Sequence, residues 1–323
     1  MKIAIIGTGG VGGYFGGKLA RAGNDVTFLA RGEHLNAIQQ NGLTIRSIDG
    51  DFKIDTVKAT DRIDKIGMAD LVILGLKAWQ IKEIYKELPA IIKRETTVLP
   101  LQNGVLIAEE LNEIINQRNI IGGLCRIMSK IDAPGVINHC GLEPSIIFGN
   151  LDYYGTERIE MIKSVFDNAE INSQISNDIT VDLWKKFISI CVGGLLAVTK
   201  TTYGELRELK ETRQLMIELL TEIYVLSQQL WIRIDSDFVS KTISVIDSYP
   251  YESTSSLTRD VWDGKPSEIE YQNGTVVRLG EKFGVDTPVN RFVYNCILPM
   301  EMKARKKMTE RNEVNQAGQF NDI

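Results

Sequence analysis

The chain has 323 residues, of which 43% are hydrophobic and 24% charged, an ordinary composition for two folded domains with a sizeable core. Its formal net charge is −5, with acids and bases interspersed, so no nucleic-acid surface is expected. The longest apolar run, Phe187 to Val198, is shorter than the ~20 residues that cross a bilayer, so no membrane role is expected either.

The first thirty-one residues, MKIAIIGTGGVGGYFGGKLARAGNDVTFLAR, start apolar behind one lysine, as a signal peptide does. Their repeated glycines fit a nucleotide loop better than an apolar signal core. Lys2 to Ile6 reads as a strand, and Gly7, Gly9 and Gly12 form G-x-G-x-x-G. Val11 to Ala22 reads as a helix closed by Gly23, and Asp25 to Ala30 as a second strand. In this setting Gly7 permits the tight turn, Gly9 lets a diphosphate approach the backbone, and Gly12 lets helix pack on strand. A dinucleotide site is expected. An NAD site places an acid at the end of the second strand; here the position is Arg31. A guanidinium attracts a 2′-phosphate, which favours NADP(H). The other reading is a solvated Arg31, with Glu33 serving the ribose.

LTIRSIDGDFKIDTV alternates about Asp49-Gly50 as a hairpin does. ADLVILGLKAWQ reads as a buried strand ending at Lys77, and TTVLPLQNG as another ending at Asn103-Gly104. Strand C-terminal ends form the ligand crevice of an open α/β sheet, so Lys77 and Asn103 face cofactor or substrate, unless they are ordinary loop polarity. GGLCRIM, GVINHC and SIIFGN supply later strands. His139 lies in one of them and reads as structural. The other histidine is His34, so acid–base chemistry falls mainly to Lys, Glu, Asp or Tyr. Cys125, Cys140, Cys191 and Cys296 are scattered with no CxxC spacing, which reads as reduced thiols in a cytoplasmic protein without a metal site.

From about Asn177 helical periodicity takes over. The spacing predicts helices over Asp178–Ala197, Glu205–Trp231, Asp237–Ile246 and Ser255–Trp262. Ser267 to Glu270 matches a capping box opening a helix to Phe283, with Gly284 just past its end. Thr287-Pro288 opens the next helix, through Lys306. The expected organisation is an α/β Rossmann-type domain (1–175), an all-helical substrate and dimerisation domain (176–308) and a mobile tail (309–323), with a ligand cleft between the two domains. In the Asp178–Ala197 helix, Leu183, Lys186, Ile190, Gly193, Gly194 and Ala197 share a face, which turns the Lys186 ammonium toward apolar neighbours. Two readings stay open. A partly desolvated lysine facing a substrate oxygen is a general acid. A snorkelling lysine lays its stem on apolar surface and its head in water.

The chain resembles the ketopantoate reductase (2-dehydropantoate 2-reductase) family over nearly all its length except the tail. The resemblance rests on GTGGVG, Arg31, LKAWQ, QNG, LWKKF, GELR, SSL and SEIEYQNG in that order. It implies NADPH-dependent reduction of a 2-oxo acid, most simply ketopantoate to pantoate, by a Rossmann domain followed by a helical one, in a family whose members often pair as a homodimer. Gly7, Thr8, Gly9, Gly10, Val11 and Gly12 would then hold the diphosphate and Arg31 the 2′-phosphate. Lys77 and Asn103 would line the nicotinamide and substrate side. Lys186 would be the general acid, Ser256 would hold the substrate carboxylate, and Glu268 would contact the ribose and orient Lys186.

The match breaks around the substrate's far end. Well-studied members follow the lysine with asparagines four and eight residues on, where this chain has Ile190 and Gly194. Further asparagines are replaced by Tyr203 and Ser253. Each lost partner would cost ketopantoate's 4-hydroxyl about 1–3 kcal/mol. The expectation is therefore a retained reaction on ketopantoate held differently, through Tyr203, Ser253 or water, or on a more apolar 2-oxo acid. Two other functions compete: a dehydrogenase of similar architecture acting on an imine or a sugar-linked alcohol, and a non-catalytic NADP(H) sensor. Retention of Lys186, Ser256 and Glu268 argues against the sensor.

Overall fold

The computed structural model describes residues 1–151 and 156–319. Its first element, β1 (Lys2–Ile6), is buried from Ile3 onward because both faces of a central parallel strand are covered. It feeds α1 (Gly10–Arg21), which stops at Ala22 with Gly23 at φ +83°. The chain returns as β2 (Asp25–Leu29), parallel to β1 with Ile5 opposite Phe28. After α2 (Gly32–Asn41) come β3 (Leu43–Ser47) and β4 (Phe52–Ile54), the antiparallel hairpin expected about Asp49-Gly50, with Gly50 at φ +113°.

β5 (Lys58–Thr60) then joins β2, β6 (Ala69–Leu74) joins the other side of β1, and β7 (Ile92–Pro100) follows α3 (Ile81–Ile84) to join β6. The result is a parallel sheet of order β5-β2-β1-β6-β7. β6 stops at Leu74 and β7 at Pro100, so Lys77 and Asn103 lie three residues beyond their strands rather than at the ends. Past α4 (Ile107–Asn112) the chain lays down β8 (Gly122–Arg126), β9 (Ser129–Ala133), β10 (Val136–His139) and β11 (Ser145–Gly149). Next come α5 (Thr156–Asn168), which the sequence pattern did not suggest, and β12 (Asn172–Ile175). They complete sheets of order β4-β3-β10-β9 and β12-β11-β8.

The core of this half is built from Ile3, Ile5, Phe15, Phe28, Ile45, Phe148 and Phe166. Each such side chain contributes about 1.5–3 kcal/mol of transfer free energy. His139 is 1% exposed, its Nδ1 within 2.8 Å of the Ser47 hydroxyl and its Nε2 within 3.0 Å of the Leu142 carbonyl. It is the structural histidine that its place in a strand suggested.

The chain forms two compact units, Met1–Leu183 and Trp184–Ile323, which divide within α6 (Ile179–Ile190). The first turn of α6 belongs to the first unit for a visible reason. Ile179 packs where a Gly122 side chain would sit, within 2.6 Å of that Cβ position, and Ser176 donates to Asp182 at 2.5 Å.

The second unit is helical, but two expected helices are each broken in two. Asp178–Ala197 divides at Cys191 into α6 and α7 (Val192–Thr199). Glu205–Trp231 divides into α8 (Tyr203–Glu208) and α9 (Lys210–Gln229), because Leu209 is extended at ψ 127°. Continuous apolar periodicity carries no signal for one residue that leaves the helical basin. α10 (Phe238–Asp247) and α11 (Ser256–Trp262) follow where helices were expected, the latter starting one residue later because Ser255 caps it, accepting from the Thr258 amide. The expected helix from Ser267 opens instead as a 3₁₀ turn, Ile269–Tyr271, and becomes α12 (Asn273–Phe283) only after Gln272, closing on Gly284 at φ +71°. α13 starts at Pro288 and runs to Gln319, past Lys306, so residues 309–319 of the expected tail are helical; 320–323 lie outside the described residues. Strong helix formers and an i,i+4 contact between Lys306 and Glu310 at 3.9 Å favour the continuation.

Candidate active site

The glycine loop joins β1 to α1, and its glycines divide into two kinds. Gly7 sits at φ +96°, and a Cβ there would lie 2.7 Å from the Leu76 amide nitrogen. A Cβ on Gly12 would lie 2.1 Å from the Gly7 carbonyl oxygen. Both glycines are demanded by the fold. Gly9, the N-cap of α1, is different: a Cβ there would meet nothing within 4 Å. The open space lies beside a helix N-terminus whose first turn carries no acidic residue, so an anion would meet backbone N–H groups and the positive end of the helix dipole. The chain's own residues therefore fit a diphosphate at this turn. Gly10 packs on β9, its Cβ position 2.4 Å from the Ser129 carbonyl oxygen, and Val11 is half-buried beside it. Thr8 is 4% exposed and donates through both its amide (3.1 Å) and its hydroxyl (2.9 Å) to the Leu29 carbonyl.

The other first-half candidates follow the C-terminal ends of neighbouring parallel strands, on the edge where such sheets bind ligands. Arg31 follows β2, is exposed, and reaches Glu83 at 3.4 Å. An exposed pair of that length contributes little stability and leaves the guanidinium available to a phosphate. Lys77, half-buried, follows β6, where its amide donates to the Gln80 side chain at 3.1 Å. Asn103, half-buried, follows β7 just before Gly104 at φ +122°.

On α6, Leu183, Lys186 and Ile190 are all half-buried, while Trp184, Phe187 and Ile188 form its buried side. This corrects the expectation that the lysine turns toward the packed face. Its face is the half-exposed one, and the break at Cys191 ends the stripe. Gly193 and Gly194 belong to a separate, buried helix. A Cβ on Gly193 would lie 2.2 Å from the Ser255 hydroxyl, and Thr258 donates to the Gly193 carbonyl at 2.9 Å. Gly193 thus seats the N-terminus of α11, whose first residue is the exposed Ser256.

Gly194 answers what replaces the family's asparagine there. A Cβ would lie 2.4 Å from Asn273 Oδ1 and 2.7 Å from Val293 Cγ1. The Asn273 carboxamide fills that space, donating to Cys191 O at 3.2 Å and Asn290 Oδ1 at 2.9 Å. An asparagine at 194 has no room and would face core, not a substrate wall. Tyr203 is 6% exposed, its ring edge-on to Tyr249 at 5.1 Å, and burial pushes its phenol pKa up strongly. Ser253 commits its proton to Pro250 O at 2.6 Å, so it can only accept from a ligand. The GELR stretch holds structure together in a visible way. Tyr251 lies over Gly204, and Arg207 donates to the Ile246 and Tyr249 carbonyls at 3.0 and 2.9 Å, fixing the segment that leads to Ser253.

Glu268 is 4% exposed. The preceding Ser267, fully buried, does not form the expected capping box. Its amide and hydroxyl both donate to Glu301 Oε2, at 2.9 and 2.7 Å, and Arg305 pairs with Glu301 Oε1 at 2.7 Å. Glu301, 3% exposed on α13, is thus a charge that anchors the Glu268 segment, and sequence spacing gave no hint of it. Two further residues carried little sequence signal. Gln102, beside Asn103, is 5% exposed with neither amide atom hydrogen-bonded among the described residues. His34 braces the glycine loop, and its only signal was its place three residues after Arg31. Among the described residues no cluster of His, Cys, Asp and Glu could hold a metal, and no helix is long and apolar enough to cross a membrane.

Comparison with known proteins covers both halves. The profile of the family described as Ketopantoate reductase PanE/ApbA matches residues 3–153, and that of its C-terminal part matches residues 178–301. A 2-dehydropantoate 2-reductase of Nostoc sp. is 32% identical over 300 residues, 91% of this chain and 93% of the relative. A crystal structure of 2-dehydropantoate 2-reductase from Geobacter metallireducens superposes with TM-score 0.86 at 28% identity, covering 93% of this chain and 99% of that one. A D-mandelate dehydrogenase, solved with NADH and anilino(oxo)acetate, shares the fold at TM-score 0.86 and 23% identity, covering 94% of this chain and 99% of the other.

Proposed function

The chain belongs to the ketopantoate reductase family of oxidoreductases, and from that premise we propose that it reduces a 2-oxo acid to the 2-hydroxy acid with NADPH, ketopantoate being the first candidate. Bound nicotinamide supplies the hydride to the substrate's carbonyl carbon. The chain's residues do the rest. Backbone N–H groups from Gly7 to Gly12 hold the diphosphate, Arg31 the 2′-phosphate, and Lys77 and Asn103 the nicotinamide side. The Lys186 ammonium stabilises the negative charge growing on the carbonyl oxygen and then gives it a proton. Ser256, exposed at the start of α11, donates to the substrate carboxylate. Glu268 contacts the ribose and keeps Lys186 charged and aimed.

The observation that carries the reading is Glu268 at 4% exposure in a segment pinned by Glu301. A buried carboxylate is costly unless a cation and donors answer it, and a reductase of this type needs a carboxylate beside its lysine. Leu183 and Ile190 on either side of Lys186 favour a second reading: a more apolar 2-oxo acid than ketopantoate.

A panel of 2-oxo acids assayed with NADPH, on wild type and Lys186→Ala, tests both readings. Turnover of some 2-oxo acid that falls about 10²–10⁴-fold in the variant, with NADPH affinity unchanged, is expected. Tight NADPH binding without turnover on any member would leave the sensor reading standing. A ketopantoate preference of several orders in kcat/KM would remove the apolar alternative.

A further inference from the structure

His34, at the start of α2, is held at both ring nitrogens. The Gly135 amide donates to its Nδ1 at 3.0 Å, which leaves the proton on Nε2, and Nε2 lies 2.9 Å from the Thr8 carbonyl oxygen. The surroundings fix each end. Thr8 is tied to Leu29 by its amide and hydroxyl. Gly135, at φ +77°, turns its carbonyl to the Thr44 amide at 2.9 Å.

The Thr8 carbonyl belongs to the Thr8–Gly9 peptide, the middle of the glycine loop. In a trans peptide C=O and N–H point opposite ways. Holding the carbonyl toward α2 aims the Gly9 N–H away from it, and Gly9 is the glycine with open space around it. We propose that neutral His34 is a positioning residue that sets the Thr8–Gly9 peptide for the dinucleotide diphosphate, so that protonating the ring releases the peptide and weakens cofactor binding. The inference rests on the dinucleotide reading of the loop.

A protonated ring would present a second N–H to the Gly135 N–H, two donors facing each other, and the ring must turn or leave. Burial holds the His34 pKa below its ordinary 6.5, opposed by the Thr8 hydrogen bond, with no charged side chain among the causes. The charged groups nearby in sequence or on adjoining strands are engaged or exposed: Arg31 with Glu83, Glu33 exposed, Asp132 with Arg46 and Lys130. The sign follows. The folded protein favours neutral His34 more than the unfolded chain does. The brace is complete above the ordinary histidine range and is lost as pH falls through the lowered value.

The test is cofactor affinity, measured with NADPH and separately with NADH from pH 5 to 8, for wild type, His34→Ala and His34→Gln. NADH lacks the 2′-phosphate, which titrates in the same range. Gln replaces the Nε2 donor without a titrating ring. Expected are at least about fivefold weaker binding at pH 8 in His34→Ala, near-unchanged kcat at saturating cofactor, and recovery in His34→Gln. Wild type should lose affinity for both dinucleotides toward pH 5, and His34→Gln should lose less with NADH. Equal affinities in all three proteins at pH 8, or a His34→Gln profile superimposing on wild type with NADH, overturns the inference while leaving the dinucleotide reading intact. A wild type that binds neither dinucleotide overturns that reading and the inference with it.

Discussion

The glycine loop and the Lys186 unit solve opposite problems. In the first, the groups available to a ligand are backbone amides, and their placement comes from glycines a few residues apart. In the second, the candidate groups are side chains, and their segments are placed by residues far along the chain: the start of α11 by Gly193 and the Glu268 segment by Glu301. Local sequence therefore specifies the first region apart from the His34 brace on Thr8, while the second depends on how distant helices pack.

The largest effect separates the two kinds of glycine within the loop. Gly12→Ala forces a methyl to within 2.1 Å of the Gly7 carbonyl and should cost about 1–3 kcal/mol of stability, with cofactor affinity falling more than about a hundredfold. Gly9→Ala has open space, so its Tm should stay within a degree or so while cofactor affinity falls about tenfold. Paired thermal melts and dinucleotide titrations check this. Equal melting losses in both variants would contradict the division.

Next comes Glu301→Gln, which sharpens the claim that the second region is held from afar. Two Ser267 donors and Arg305 lose a charged acceptor, so a loss of about 1–3 kcal/mol is expected. Activity should fall through kcat rather than through cofactor affinity, because the residue acts on the Glu268 segment. Steady-state kinetics with both substrates varied would show it, and a change confined to the NADPH KM would count against it.

Arg31→Ala should be the mildest. Its ion pair with Glu83 is exposed and 3.4 Å long, so stability should not move measurably. NADPH should lose about tenfold in affinity while NADH changes little, bringing the two closer together. An unchanged NADPH/NADH ratio would return Arg31 to the status of a solvated side chain.

Several elements were readable in advance because each rests on neighbours in sequence. The β1 turn, the hairpin at Gly50 and the Pro288 start are of this kind. The breaks at Cys191 and Leu209 were not: Cys191 keeps a right-handed helical backbone at φ −64° and ψ −19°, Leu209 turns extended, and neither residue type signals a break. The Lys186 face was misjudged for the same reason: an apolar stripe continuous in sequence was divided between two helices.

By itself the sequence determined the glycine loop, the α/β-then-helical order and the family. Glycine geometry, strand patterning and caps act over a handful of residues, and a short motif can state them. Only the tertiary structure decided that Asn273 occupies the space at Gly194, that Glu301 holds the Glu268 segment, and that His34 braces Thr8. Those contacts join residues from 26 to 79 positions apart (34 − 8, 273 − 194), and a linear pattern carries no record of which distant side chain fills which gap.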